Sequence, residues 1–159
     1  MGARADALAK QFEAKVDEAT ETFEKLSDTD WRKVTSAEKW PVCVVAHHVA
    51  QAHAGISQLV KMVASGAQFS PHTMDDIHAM NAKHAQEFGS CTKPETLSLH
   101  KDNAKAAAAL VRGLSDADLD RTGQLLKELP AMSANQVIVG ILINHVDEHL
   151  KSIRATTEH

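Results

Sequence analysis

Apolar residues recur along this chain at steps of three and four, and the recurrence breaks only at punctuation residues. Leu8, Phe12, Val16, Ala19, Phe23 and Leu26 form one stripe, which predicts an amphipathic helix from about Arg4 to Leu26. The polar run Ser27 to Asp30 ends it. A second stripe, Val42, Val45, Val49, Ala52, Ile56, Val60 and Val63, predicts a helix from Pro41 to about Ser65, before Gly66. Proline suits a first helical turn because its missing N–H would have had no partner there. Gln68 to Thr73 is a loop, and Thr73 can cap a shorter helix that runs through about Phe88 and stops at Gly89. Thr92 and Glu95 stand in capping-box order and open a helix from about Pro94 to Arg112, which Gly113 stops. Ser115 to Asp118 opens a short turn. Ser133 and Gln136 make a second capping-box pair, starting a last helix to about Thr156 with Ile138, Leu142, Val146, Leu150 and Ile153 on its apolar side.

These segments are too long for strands, and an Ala-rich, Tyr-free chain with seven Gly and four Pro favours helix. No repeat, low-complexity tract or linker interrupts them. The expected fold is all-α: one domain over residues 1–159, a four-helix bundle whose long connection between the second and third members carries the short helix.

Charge and composition narrow the function. The 159 residues carry 17 Lys+Arg against 21 Asp+Glu, a net charge of -4. No basic run supplies the phosphate-neutralising surface that nucleic acid requires. The longest apolar run, Val137 to Ile143, is far short of a membrane span, and the charged first residues do not read as a signal peptide. A soluble, cytoplasmic protein with no nucleic-acid or membrane partner is expected. Val137 to Ile143 is apolar nearly all round, so it is either deeply buried or paired with a second subunit, burial being the plainer reading.

Ten histidines must be sorted by position. At about 100° per residue, His47 falls among Gln51, Ala54, Gln58 and Lys61 on the polar side of the second helix. His48 lies on the flank of the apolar stripe between Val45 and Ala52, and His53 on the opposite flank. Each alone reads as an ordinary hydrogen-bonded histidine. His145 and His149 are spaced i,i+4, which stacks their imidazoles on one face beside the stripe of the last helix. Two imidazoles there are costly if unpaired. A metal ion satisfies both, as does a network of carboxylates and water. Three imidazoles with an open coordination position mark a reactive rather than a structural centre, since closed structural zinc sites use four protein ligands. Cys43 points far around its helix from His48, and Cys91 lies in a loop, so both read as plain cysteines. His145-Val-Asp-Glu148-His149 also follows the HxxEH order of inverzincin proteases. Those enzymes take a downstream glutamate as third ligand, and Glu148 points toward solvent.

The segment Trp40-Pro-Val-Cys-Val-Val-Ala-His-His48-Val resembles the W-S-V-x-x-V-x-x-H-L opening of the second helix in the DinB/YfiT-like superfamily. Pro41 stands where Ser or Thr is common, and His47 is an additional histidine. The eight-residue step from Trp40 selects His48 over His47, and the HxxxH pair His145 and His149 matches the family's other two ligands. Helix order, length, the long connection and the stretch around Asn81 fit as well. The resemblance implies an up-down-down-up bundle, often a homodimer, with a divalent ion such as zinc or nickel held by His48, His145 and His149. It also implies a small-molecule substrate and, for some members, a low-molecular-weight thiol cofactor.

Three functions follow as expectations. In the first, a metal-dependent thiol transferase or isomerase, the nucleophile comes from the cofactor thiol, in keeping with the lack of a cysteine near the triad. In the second, a metal-dependent hydrolase, a metal-bound hydroxide attacks an amide or ester. In the third, the domain is a non-enzymatic dimeric stress-response or binding module. No catalytic base is identified.

Overall fold

The computed structural model describes residues 2–158. Four long helical units form the body. Helix α1 spans Ala3–Lys25, α3 spans Val42–Ser65, and α5 spans Lys93–Arg112. The last unit is continuous but changes pitch: α7 (Ala134–Val137), a π-helical segment (Ile138–Ile143) and α8 (Asn144–Thr157). Helix α5 packs against both α1 and α3, and the last unit closes the core against α1 and α3. The expected all-α architecture is observed.

The predicted boundaries fall where capping chemistry puts them. The stripe residues of α1, Leu8 to Leu26, are all buried. Pro41 stands at the N-cap of α3, and Gly66 ends that helix with φ 73°, a left-handed conformation that suits glycine. Thr73 with Asp76, Thr92 with Glu95, Ser115 with Asp118 and Ser133 with Gln136 all form reciprocal capping boxes. They open α4 (Met74–Glu87), α5, α6 (Asp116–Asp120) and α7.

Three features depart from the predicted pattern. Ser27 does more than end α1: its hydroxyl accepts from the Asp30 N–H and starts a short helix, α2 (Asp28–Arg32), whose Trp31 is buried. Residues Thr122–Gly123 and Met132–Ser133 pair as a minimal antiparallel ribbon, β1 and β2, ahead of the last helix. The π-helical segment is the third. In an α-helix each four-residue step drifts about 40° around the axis, and the stripe Ile138, Leu142, Val146, Leu150 takes three such steps. The wider i→i+5 turn takes up that drift. As a result Ile138, Leu142, Val146, Leu150 and Ile153 are all 2% exposed or less. Most of Val137 to Ile143 is covered, but Val139 is 43% exposed.

Helix α3 is wrapped more completely than its stripe requires. Cys43, Val44, Ala46, His47, Ala50 and His53 are buried in addition to Val42, Val45 and Val49. The expectation that His47 faces the polar side is therefore corrected. Gln51, Ala54, Gln58 and Lys61 on that side are exposed, but the C-terminal end of α4 covers its first turns, where Cys43 and His47 lie. No helix among the described residues is long and apolar enough to cross a membrane.

Candidate metal centre

The three predicted histidines come together. His48 lies in the second turn of α3, and His145 and His149 lie one turn apart in the first half of α8. One ring nitrogen from each falls within 4.8 Å of the other two. The Nε2 atoms of His48 and His145 are 2.9 Å apart, and the His145 and His149 rings stand edge to face at 4.4 Å between centroids. Two imidazole nitrogens held tetrahedrally about 2.1 Å from a zinc-like ion would be about 3.4 Å apart, so closing on an ion takes only a small rotation. Trp40 packs its ring edge-on against His48, 5.4 Å between centroids.

The electrostatics suit a cation. Burial pushes the His48 imidazole down to about 3, and the neighbouring His145, His149 and His84 add to it. Burial likewise holds His145 at about 3, with His149 and His53 adding. Both rings are thus neutral at physiological pH, the form that ligates metal. Neither has to lose a proton first.

A residue that sequence reasoning did not single out completes the site. Glu38 accepts a hydrogen bond from Nδ1 of His149 at 2.7 Å, which leaves Nε2 of that ring to face the centre. Its other oxygen accepts from the Ser152 hydroxyl, one turn along α8. Burial raises the Glu38 carboxyl, but hydrogen bonds from Ser152, His149 and Thr35 outweigh it, and the net shift is downward. Glu38 therefore stays ionised beside the imidazole. A carboxylate behind a ligating histidine fixes its tautomer and orientation and raises its basicity. Glu38 sits in the turn between α2 and α3, followed by Lys39 with φ 62°. That left-handed residue closes a loop pinned by hydrogen bonds between Thr35 and Trp40 and between Val42 and Lys33. The loop fixes Glu38 and Trp40 on either side of the histidines.

Further histidines surround the triad. Nδ1 of His47 is 2.8 Å from Nε2 of His84 on α4, and the His47 ring stacks on Phe88. The His84 ring stands 5.7 Å from that of His48. His53 and His100 pair in the core at 3.0 Å. Glu148 is exposed, as expected, so it does not face the triad. The two cysteines lie outside the triad but are not apart. The Cys91 thiol donates to the Cys43 carbonyl at 3.2 Å, and Arg32 approaches the Cys43 sulfur at 3.4 Å. The Cys91 thiol and the Arg32 charge lower the Cys43 thiol to about 6.

Fold and site together define an all-α protein with a half-buried cluster of three imidazoles, backed by a carboxylate and able to hold a divalent ion. The chain belongs to the DinB superfamily, whose family model matches residues 11–153. Among solved structures, a histidine-to-alanine mutant of the mycothiol-dependent maleylpyruvate isomerase superposes with a TM-score of 0.74 at 10% identity, covering 96% of this chain. This chain spans 63% of the length of that one. No curated protein matches the sequence.

Proposed function

We propose that the protein is a metal-dependent enzyme of the thiol-dependent S-transferase or isomerase type. The observation that carries this reading is the donor set: three converging imidazoles and an ionised Glu38 behind one of them, with no cysteine among the three. His48, His145 and His149 would hold the ion, zinc or nickel being the natural partners of imidazole nitrogen. A divalent ion in such a site favours the thiolate of a bound low-molecular-weight thiol. The protein's own part is positional. Glu38 fixes the His149 ring through Nδ1, Trp40 braces His48, and the packed stripe of the last helix keeps His145 and His149 in phase. The likeness of the fold to that of a mycothiol-dependent isomerase supports the choice of a thiol. The substrate is a small electrophile, the setting is the cytoplasm, and the assembly is a homodimer. Exposed Val139 on the last helix is the natural start of such an interface, and sedimentation measures the assembly directly.

The test is spectroscopic. Cobalt-substituted protein titrated with small thiols should develop a sulfur-to-cobalt charge-transfer band in wild type. Stoichiometric cobalt with no response to any thiol would turn the reading toward hydrolysis. Failure to take up metal at all would end both.

A further inference from the structure

Helix α4 buries one residue, and that residue is a histidine. His84 is 7% exposed, whereas the rest of the helix lies at the surface or half covered. A crossover helix that docks by one side chain normally uses an aliphatic or aromatic anchor. His84 instead brings two polar ring atoms into the protein. Nε2 is satisfied by Nδ1 of His47 at 2.8 Å. Nδ1 has no hydrogen-bond partner, and it is the only buried side-chain nitrogen or oxygen among the described residues in that condition. Orphaned polar atoms of this kind are rare, and each calls for an explanation.

The place of the orphan supplies one. The His84 ring lies 5.7 Å from the ring of His48, tilted by 60°, so α4 brings it to the edge of the triad. We propose that His84 donates a hydrogen bond from Nδ1 to the non-protein ligand that completes the coordination of an ion held by His48, His145 and His149. This rests on the metal reading above and goes beyond it, since it assigns a positioning residue outside the ligand set. The proton inventory is consistent. A neutral His84 carrying its proton on Nδ1 has a bare Nε2, which accepts from the Nδ1–H of His47. An anionic group on the ion, whether thiolate, carboxylate or a small inorganic anion, selects that tautomer. His47 is then the residue that holds His84 in register, and the stack of His47 on Phe88 holds His47.

The two ring nitrogens can be tested separately with cobalt-loaded protein and azide as the probe, following the cobalt visible spectrum. His84→Gln places an amide near the Nε2 position and preserves the contact to His47. His84→Asn places one near Nδ1 and preserves the donor toward the ion. With cobalt content unchanged, His84→Gln should weaken azide binding by about ten- to a hundredfold, while His84→Asn stays close to wild type. Equal weakening in both variants, or wild-type binding in both, overturns the assignment and leaves the metal reading intact. Wild-type protein that takes up no cobalt defeats the metal reading first, and this one with it.

Discussion

Glu38 and His149 lie 111 residues apart in sequence and 2.7 Å apart in space. This contact joins the turn before α3 to the last helix, and so ties together the two helices that supply the triad. It also ties the site to the fold, because Glu38 holds Ser152 of the same helix. Glu38→Gln keeps the shape and removes the charge. The expected result is metal binding weakened by about tenfold or more with the helical fold retained, read from competition with a chromogenic chelator. Unchanged affinity would mean that Glu38 is only a structural clasp.

The second prediction concerns the ligands themselves. At a free metal concentration about 100 times Kd, binding adds about 2.7 kcal/mol of stability, which in a chain of this size raises Tm by about 5 to 10 °C. Wild-type protein should show that rise with zinc or nickel and lose it with a chelator. His145→Ala, His48→Ala and His149→Ala should each fail to respond. A full metal-dependent shift in His145→Ala would remove that residue from the ligand set.

Both predictions draw on residues of unequal visibility in the sequence. The triad was legible because a helix projects a histidine pair at i,i+4 onto one face, and because the family resemblance carried by Trp40 and His48 supplied the third member. The capping boxes at Thr92 and Ser133 were legible as local patterns, while Thr73 was read only as a cap and Ser115 only as the opening of a turn. Glu38 was not, because it lies in a turn, where no period relates a residue to what it touches. His47 was misplaced because a helical wheel records the residues of one helix and not what covers them, and α4 covers only the first turns of that face. The π-helical segment was hidden too, although its trace is there: three successive four-residue steps in the apolar stripe are one more than an α-helix accommodates comfortably. The juxtaposition of Cys43 with Cys91 depends on the loop after α4 returning to the start of α3, which no short pattern encodes.

A third prediction tests the helical reading independently of any chemistry. Gly55 lies exposed in the middle of α3, and a methyl group there would meet nothing within 4 Å. Glycine in a helix interior costs about 0.5 to 1 kcal/mol relative to alanine, mainly through the freedom of the unfolded chain. Gly55→Ala should raise Tm by about 1 to 4 °C and leave metal uptake unchanged. A loss of stability would show that α3 is strained at that point.

The last prediction concerns acid, and it turns on four histidines that fold neutral. His53 and His100 are fully buried and paired at 3.0 Å, and Nε2 of His100 approaches the Val16 carbonyl at 3.3 Å and the Thr20 hydroxyl at 3.0 Å. The carbonyl only accepts, so His100 donates from Nε2, accepts at Nδ1, and receives the Nε2–H of His53. Protonating His100 at Nδ1 would break that order, and protonating His53 would leave a charge buried in the core. Burial holds His53 at about 3, His100's proximity adding to it, and burial lowers His100 as well. His48 and His145 are also held at about 3. All four return toward 6.5 in the unfolded chain. Between those limits the unfolded state binds more protons than the folded one, so stability rises with pH across the window. The histidine contribution is complete above 6.5 and is lost progressively as pH falls toward 3. Carboxylates contribute little to the upper part of that window, because Asp6, Asp30 and Asp118 are lowered from 3.8 and Glu38 from 4.5. Metal-free protein should therefore show a urea midpoint that falls steadily between about pH 6 and about pH 4.5. Replacing the core pair, His53→Phe with His100→Leu, should flatten the slope without abolishing it, since His48 and His145 remain. A midpoint that does not change across that window would show that these histidines are not held neutral by the fold.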